Sequence, residues 1–178
     1  MVLSDRDIKR EIKARNIIVD PAVNPIDISP SSLDVHLGNQ ILKFKEPAHP
    51  AVGLVIDISH PNVHTVFGEL CITEDIQAEG YVLKPGEFIL SNIQEKITLC
   101  SKISARIEGT STLARFGLTV HSTAPTIHAT YKGRLTLELC NHGKLPIRLK
   151  ANMKIAQLIF EYLNTPSETI LQSSWQEE

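Results

Sequence analysis

Ser111, Arg115 and Glu138 are the residues of this chain whose types and spacing are best suited to chemistry on a small molecule. All three lie between residues 109 and 142, and Glu138 sits in a leucine-rich run that is typical of a strand. An ionised carboxylate is expensive to bury unless a charged or hydrogen-bonding group compensates it. Proteins accept that cost most readily where the acid takes part in chemistry. Glu138 is therefore the first candidate for a reactive group.

The strand that carries Glu138 is predicted from the alternation of side chains between Gly133 and Asn141. Its predicted core face consists of Leu135, Leu137 and Leu139. Its opposite face consists of Arg134, Thr136, Glu138 and Cys140. The opposite face is too mixed for open solvent and too polar for a core, which favours a subunit interface or a pocket wall. The alternation alone leaves equally open a surface glutamate that pairs with a lysine on the neighbouring strand.

A short helix is predicted upstream of this strand, with Thr110 suited to cap it and Gly117 suited to end it. Ser111 and Arg115 are four residues apart and therefore project from the same side of the helix. A hydroxyl beside a guanidinium can hold a water, a carboxylate or a phosphate. The pattern Ser-x-x-x-Arg is, however, also common on protein surfaces that have no binding function.

His121 and His128 lie seven residues apart and raise the question of a metal site. The usual partners are missing from the sequence. It contains neither the His-x-Glu and Pro-Cys-x-x-Cys pair of zinc nucleobase deaminases nor the HExxH of metalloproteases. The GxSxG turn of serine hydrolases is absent as well. We therefore predict a site with no cofactor or metal bound by protein side chains.

The composition of the chain excludes several other classes of function. With 178 residues, 42% hydrophobic and 21% charged, it resembles an ordinary globular domain, and a net charge of −2 argues against a nucleic-acid track or a membrane-surface partner. No apolar run approaches the ~18 residues of a membrane span. Three cysteines without CxxC spacing and a start unlike a secretory leader predict a cytoplasmic protein, with the cysteines as small buried hydrophobes.

The remaining elements predict an all-β sandwich or barrel with minor helices. A first helix is expected from Ser4 as its cap, with Ile8 and Ile12 on one face. After it, short apolar runs recur about every dozen residues between turn signals, as in a sandwich or barrel. We predict one domain over residues 1–165 and a tail or shortened lid over 166–178. The predicted strands are Leu33–Leu37, Ile41–Phe44, Leu54–Ile58, Tyr81–Leu83, Phe88–Leu90, Lys96–Leu99, Ile103–Ile107, Leu118–Val120, Arg134–Cys140, Ile147–Leu149 and Ile155–Phe160.

Several sequence blocks, in order, resemble the dCTP deaminase branch of the dUTPase-like trimeric superfamily. The resemblance covers most of residues 1–162. It implies a distorted β jelly roll that assembles as a homotrimer, with active sites between neighbouring subunits. The matching blocks are LSDRDI at 3–8, SSLDVHLG at 31–38, GTSTLAR at 109–115, VHSTA at 120–124, GRLTLE at 133–138, KLPI at 144–147 and AQLIF at 156–160.

The resemblance also implies a role for each site residue. Glu138 is expected to act as the general base that takes a proton from water and returns it to the cytosine ring nitrogen. Ser111 and the carbonyl of Ala124 are expected to hold that water, while Arg115 keeps Glu138 ionised and oriented. Mg²⁺ is expected to arrive with the triphosphate and not with the protein. The expected substrate contacts are Thr110, Thr112, His121, Thr123, Thr126, His128 and Tyr131.

Three departures from the family pattern lie around the phosphates and the lid. The family places an arginine after Gly109, where this chain has Thr110, so a bidentate phosphate clamp is lost. The family's Ile-Asp-Pro-Gly-Phe/Trp turn is replaced by residues 127–131, IHATY, which carry His128 in place of the acid. The Tyr- and Gln-bearing tail of the family is not found at the C-terminus.

The sequence-based reading is thus hydrolytic deamination of a deoxycytidine nucleotide, first of all dCTP to dUTP and ammonia. Two alternatives stay open at this point. One is cleavage of dUTP to release pyrophosphate, alone or combined with deamination. The other is a trimeric nucleotide-binding homologue that has lost turnover.

Overall fold

The computed structural model describes residues 1–45 and 55–170, and within these ranges the chain is mostly β. The helices are α1 (Asp5–Lys13), α2 (Val63–Leu70), α3 (Ser111–Arg115) and a 3-10 turn, Pro25–Asp27. The strands are β1 (Ile17–Asp20), β2 (Ile28–Ser29), β3 (Ser32–Phe44), β4 (Cys71–Asp75), β5 (Tyr81–Leu83), β6 (Phe88–Leu99), β7 (Ile103–Gly109), β8 (Leu118–Thr119), β9 (Thr126–Ile127), β10 (Lys132–Asn141), β11 (Ile147–Leu149) and β12 (Lys154–Tyr162).

The large sheet curls around β3, which takes part in both of its halves. The first part of β3 pairs with β2 and β12, and the later part pairs with β6 and β4. A register shift between Leu37 and Ile41 separates the two parts, and such irregularities bend and twist a strand. The sheet runs in the order β8-β10-β6-β3-β12-β7-β9, with β5 and β11 as a separate pair. This curled, mostly β architecture confirms the predicted fold class.

The core lies between the two halves of the curled sheet and draws mainly on alternate residues of the long strands. On β10 the exposed fractions of Leu135, Leu137 and Leu139 are 8%, 0% and 0%, so the predicted core face is confirmed. Phe160 on β12 is fully buried in the same cluster. Burial of this face fixes which way the other face of β10 points, because a one-residue slip would exchange the two faces.

The first helix forms as predicted, because both of its ends are satisfied locally. The Ser4 hydroxyl accepts a hydrogen bond from the Asp7 amide, and the Asp7 carboxylate accepts one from the Ser4 amide. The hydroxyl also donates to that carboxylate, and this lowers the pKa of Asp7. Ile8 is fully buried and Ile12 packs on the core.

Several predicted strand boundaries were wrong. The two runs predicted on each side of Gly38 form one strand, β3, and the two predicted between Phe88 and Leu99 form β6. No strand forms at residues 55–58, where Val55 and Ile58 are each 84% exposed; Leu54 lies outside the described residues. Strands β1, β2, β4 and β9 and helix α2 were not predicted.

The other predictions on the chain's organisation have mixed outcomes. Cys71 is buried, which raises the pKa of its thiol, while Cys100 and Cys140 are partly buried, and all three are free thiols. In the two described ranges no helix combines the length and the apolar character needed to cross a membrane. Residues 166–170 form neither helix nor strand, and the rest of the predicted tail lies outside the described residues.

Candidate active site

Glu138 is half-buried on the mixed face of β10, and a backbone amide holds its carboxylate. The amide of Ser122 donates to Oε2 of Glu138 over 2.7 Å. The backbone amide of Glu138 in turn donates to the carbonyl of Val120 over 3.0 Å. Strand β10 and residues 120–122 are thus joined at the carboxylate. A hydrogen bond between a charged and a neutral group is worth more than a neutral one, so Oε2 is firmly placed.

The neighbour of Glu138 across the strand pair is not a lysine. Glu138 lies opposite Leu90 on β6, and no ion pair involving Glu138 forms in residues 1–45 or 55–170. The alternative of a surface glutamate paired with a cross-strand lysine is therefore wrong. Since Ser122 binds Oε2, the second carboxylate oxygen remains without a hydrogen-bond partner among the described residues.

The segment that supplies the Ser122 amide is itself tied to the opposite half of the sheet. The Pro125 carbonyl accepts a hydrogen bond from the Ile107 amide over 2.9 Å, and β9 pairs with β7 immediately afterwards. Thr123, Ala124 and Thr126 are exposed along this segment. The predicted water-holding residue Ala124 therefore lies two residues from the amide that binds Glu138.

Helix α3 presents Ser111 and Arg115 on the surface, as the spacing predicts. Thr110 occupies the cap position, but its side chain makes no capping hydrogen bond. Thr110 is half-buried, and Ser111, Thr112 and Arg115 are exposed. The helix ends at Phe116 and Gly117, which takes the left-handed conformation (φ +89°) predicted for a helix stop.

The end of α3 is anchored to the end of β10. The Gly117 carbonyl accepts a hydrogen bond from the His142 amide over 2.8 Å, and a Cβ at Gly117 would meet the Gly143 amide nitrogen at 2.4 Å. Strand β8, which follows α3, then pairs with β10 at Cys140. The helix is therefore positioned by the strand that carries Glu138.

One predicted contact does not form within a single chain. Arg115 makes no ion pair or hydrogen bond with any described residue, so it does not orient Glu138 here. The predicted site between neighbouring subunits would explain this, because Arg115 would then face the carboxylate of another copy. Ser111 likewise has no hydrogen-bond partner in the described part of the chain.

From the sequence, His121 is expected to be a buried, hydrogen-bonded histidine and not a catalyst. Its Nδ1 is buried without any hydrogen-bond partner in the described residues, and its Nε2 lies 3.7 Å from Oε2 of Glu108, beyond hydrogen-bond length. The prediction of a hydrogen-bonded ring is therefore wrong within one chain. The ring lies beside Glu108 of β7, with Nδ1 unsatisfied in the described part of the chain.

Two of the predicted substrate contacts, His128 and Tyr131, lie in the turn at residues 128–131 and differ in exposure. His128 is exposed, whereas Tyr131 is half-buried, and burial raises the pKa of Tyr131 to about 12. The Tyr131 hydroxyl donates to the carbonyl of Arg134 over 2.7 Å, and Thr130 takes a positive φ of 68°. The phenol therefore stays protonated at neutral pH and anchors the start of β10.

The described residues contain no group of three His, Cys, Asp or Glu side chains that could hold a metal ion. Ser122 is the site residue that the sequence did not reveal. Its contribution is a backbone amide, which every residue except proline has, so no side-chain signature marks it. Its position inside the VHSTA block was the one available signal.

The curled β-sheet thus positions a half-buried carboxylate that is held by a backbone amide, and a short helix that presents a hydroxyl and a guanidinium. Comparison with known proteins gives the particular family. The family model described as dCTP deaminase-like matches residues 2–163, and the chain belongs to that family. This confirms the predicted resemblance and the prediction of an enzyme.

Curated relatives agree over nearly the whole chain. The dUMP-forming dCTP deaminase of Methanosphaera stadtmanae is 35% identical over 167 residues, which are 94% of this chain and 82% of that protein. The dCTP deaminase of Haloarcula marismortui is 35% identical over 94% of this chain and 84% of its own length. A dUMP-forming dCTP deaminase from a Nocardioides species is 39% identical over 94% of this chain and 83% of its own length.

A solved structure shares the fold. The 2'-deoxycytidine 5'-triphosphate deaminase from Agrobacterium tumefaciens superposes with a TM-score of 0.68 over 89% of this chain, at 20% sequence identity. This chain spans about half, 47%, of that protein's length. The likeness supports the curled β fold.

Proposed function

We propose that the chain deaminates dCTP by adding water to the cytosine ring, with Glu138 as the general base. The observation that carries the proposal is the Glu138 carboxylate: it is half-buried, one oxygen accepts the Ser122 amide at 2.7 Å, and the other has no hydrogen-bond partner in the described residues. A carboxylate held in this way has a fixed orientation, and no ion pair with a described residue occupies it. The free oxygen is available for water.

The proposed reaction balances with water as the one co-reactant. Glu138 takes a proton from water as the water oxygen bonds to the ring carbon that bears the amino group. The ring nitrogen next to that carbon receives this proton. The remaining proton, on the new hydroxyl, then passes through Glu138 to the amino nitrogen as the carbon–nitrogen bond to the amino group breaks. Ammonia leaves and a carbonyl remains, so a cytosine becomes a uracil. General base assistance of this kind is worth roughly 10²–10⁴-fold in rate.

Ser111, Arg115 and the carbonyl of Ala124 complete the proposed site. The serine hydroxyl and the Ala124 carbonyl would hold the water, and the guanidinium would orient the Glu138 carboxylate. We propose that Ser111 and Arg115 come from a neighbouring subunit of a homotrimer. Support comes from their exposure without hydrogen-bond or ion-pair partners in the described residues, and from the neighbouring apolar side chain of Phe116, which is 69% exposed.

The remaining predicted contacts belong to the nucleotide. Thr110, Thr112, His121, Thr123, Thr126, His128 and Tyr131 are proposed to contact its sugar and phosphates. We propose that Mg²⁺ enters bound to the triphosphate, since Mg²⁺ commonly binds phosphates with few protein ligands. The direct product of deamination is then dUTP.

A second candidate function is deamination followed by hydrolysis of dUTP to dUMP and pyrophosphate. The observation that favours it is the similarity to relatives named dUMP-forming, such as those of Methanosphaera and Nocardioides. The second step consumes another water and breaks the bond between the α- and β-phosphates. It leaves the first step, and the role of Glu138 in it, unchanged.

Both functions are tested by incubating the purified protein with dCTP and Mg²⁺ and measuring ammonia, dUTP, dUMP and pyrophosphate. Ammonia with stoichiometric dUTP supports deamination alone, and ammonia with dUMP and pyrophosphate supports the second candidate. Ammonia released from neither dCTP, dCDP nor dCMP would end the deamination proposal. Tight dCTP binding without any product would instead indicate a nucleotide-binding homologue.

A further inference from the structure

A polar groove of about 570 Å³ lies on the outer face of the sheet where β3, β6 and β10 meet. Volumes of this size are typical of small-molecule sites. Two cations and several carboxamides line it: Lys96, Arg134, Asn39, Gln40, Gln94 and Asn152. The register of β10 against β6 shifts between Arg134 and Thr136, inside the groove, and such irregularities are common beside active sites.

The two cations of the groove oppose each other across a strand pair. Arg134 on β10 and Lys96 on β6 are register partners, both exposed, so their side chains leave the same face about 5 Å apart at Cβ. Like charges placed directly opposite are destabilising. Asp20 lies opposite Lys96 on the far side of β6, but it forms no ion pair with Lys96, and no described acid pairs with Arg134.

The guanidinium of Arg134 is held in place before any ligand arrives. Its Nε donates to the Gln94 carbonyl over 3.1 Å, and the Tyr131 hydroxyl fixes the Arg134 carbonyl. The terminal nitrogens of Arg134 have no partner among the described residues. An arginine with a fixed stem and free terminal donors is suited to bidentate recognition of a phosphate.

The groove lies on the same face of β10 as the proposed base. Arg134, Thr136 and Glu138 alternate onto the same side of β10, and Thr136 lines the groove. Glu138 lies four positions after Arg134 on the strand, a distance of roughly 13 Å at about 3.3 Å per residue. The other half of the site lacks a phosphate clamp, because Thr110 stands before Ser111.

We propose that Lys96 and Arg134 bind the phosphates of the deoxycytidine nucleotide whose base is presented to Glu138. The inference rests on the proposed function, and it assigns the phosphate charge to a pair of cations on β6 and β10. The ligand relieves the repulsion between the two cations. The carboxamides around them donate to the remaining phosphate and sugar oxygens.

The test measures nucleotide affinity without turnover, by calorimetry on a Glu138→Gln background. Arg134→Ala and Lys96→Ala are each expected to weaken dCTP binding about 10–100-fold, the loss of one or two hydrogen bonds to a charged group. Binding of deoxycytidine, which has no phosphate, is expected to stay within twofold. Lys132→Ala is the matched control, because Lys132 is an exposed cation on the same strand outside the groove lining.

Each result decides the proposal. Unchanged dCTP affinity in Arg134→Ala and Lys96→Ala overturns it, as does an equal loss of deoxycytidine binding. Loss of the assembly on size-exclusion chromatography also overturns it, since the cations would then pair with another subunit. If the parent chain binds dCTP through these cations but releases no ammonia, the proposed function fails while this inference stands.

Discussion

The two halves of the candidate site differ in the contacts that their side chains make within one chain. The Glu138 half is built by backbone: the Ser122 amide holds the carboxylate, and the strand beneath it is sealed by fully buried leucines. The α3 half is built by side chains that point outward, with Ser111 and Arg115 exposed and unpartnered in the described residues. This difference supports the proposal that a second copy of the chain supplies Ser111 and Arg115 to the site of Glu138.

The largest effect is expected from Glu138→Gln, which removes the base but keeps an oxygen for the Ser122 amide. Deamination of dCTP is expected to fall by roughly 10²–10⁴-fold, because the amide cannot accept the proton of water. The thermal midpoint of unfolding serves as the control and is expected to change little. If Glu138→Gln released ammonia at a rate within tenfold of that of the parent protein, Glu138 would not be the general base.

The division of the site between subunits is tested by mixing two inactive proteins. Arg115→Ala and Glu138→Gln are each expected to be inactive as pure trimers. After dissociation and random reassembly at equal amounts, about a quarter of the sites would combine an intact Glu138 with an intact Arg115 from the neighbour, and activity would return to about that level.

The same mixture distinguishes a site shared between subunits from a site formed within one subunit. If Glu138 and Arg115 served the same site of the same subunit, every subunit in the mixture would carry a defect and activity would stay at background. The readout is ammonia release before and after reassembly, with each variant put through the procedure alone as its own control.

The backbone contact at Ser122 gives the next largest expected effect. Ser122→Pro removes the amide that donates to Glu138, and a hydrogen bond to a charged group is worth about 1.5–3 kcal/mol, or roughly 10–100-fold in rate. Ser122→Ala is the matched control, since it keeps the amide and loses the hydroxyl, and it is expected to stay within about twofold. Equal losses in both variants would mean that the hydroxyl, and not the amide, matters.

The sequence predicted those features of the site that depend on residues close together in the chain. Side-chain periodicity identified the core face of β10, and capping chemistry identified α1, because both depend on residues close in sequence. Periodicity did not show that β3 continues through Gly38, because that strand is irregular between Leu37 and Ile41 and a Cβ at Gly38 would come within 2.8 Å of the Asn92 carbonyl.

The features that the sequence did not predict have a common physical cause: the group that each residue contacts lies far away in sequence or is a backbone atom. The predicted strand Leu54–Ile58 does not form over its described residues, 55–58, which pair with no described strand and stay exposed. The Ser122 amide and the Lys96–Arg134 pairing exist only once the register of β10 is set. Arg115 lies on its expected helix, but it has no partner among the described residues, and its proposed contact with Glu138 requires a second copy of the chain.

The smallest effect concerns Tyr131, which anchors the entry to the Glu138 strand through the Arg134 carbonyl. Burial raises the pKa of this phenol from 10.0 to about 12, so the folded state resists its ionisation. A pKa raised on folding gives stability that is present below the unfolded value and is lost as pH rises through the folded value. Tyr131→Phe is expected to cost about 1 kcal/mol of unfolding free energy at neutral pH, the net worth of one hydrogen bond. It should also make the decline in stability from pH 10 to about 12 shallower, as followed by urea unfolding. A decline just as steep in Tyr131→Phe would assign the alkaline loss of stability to another group.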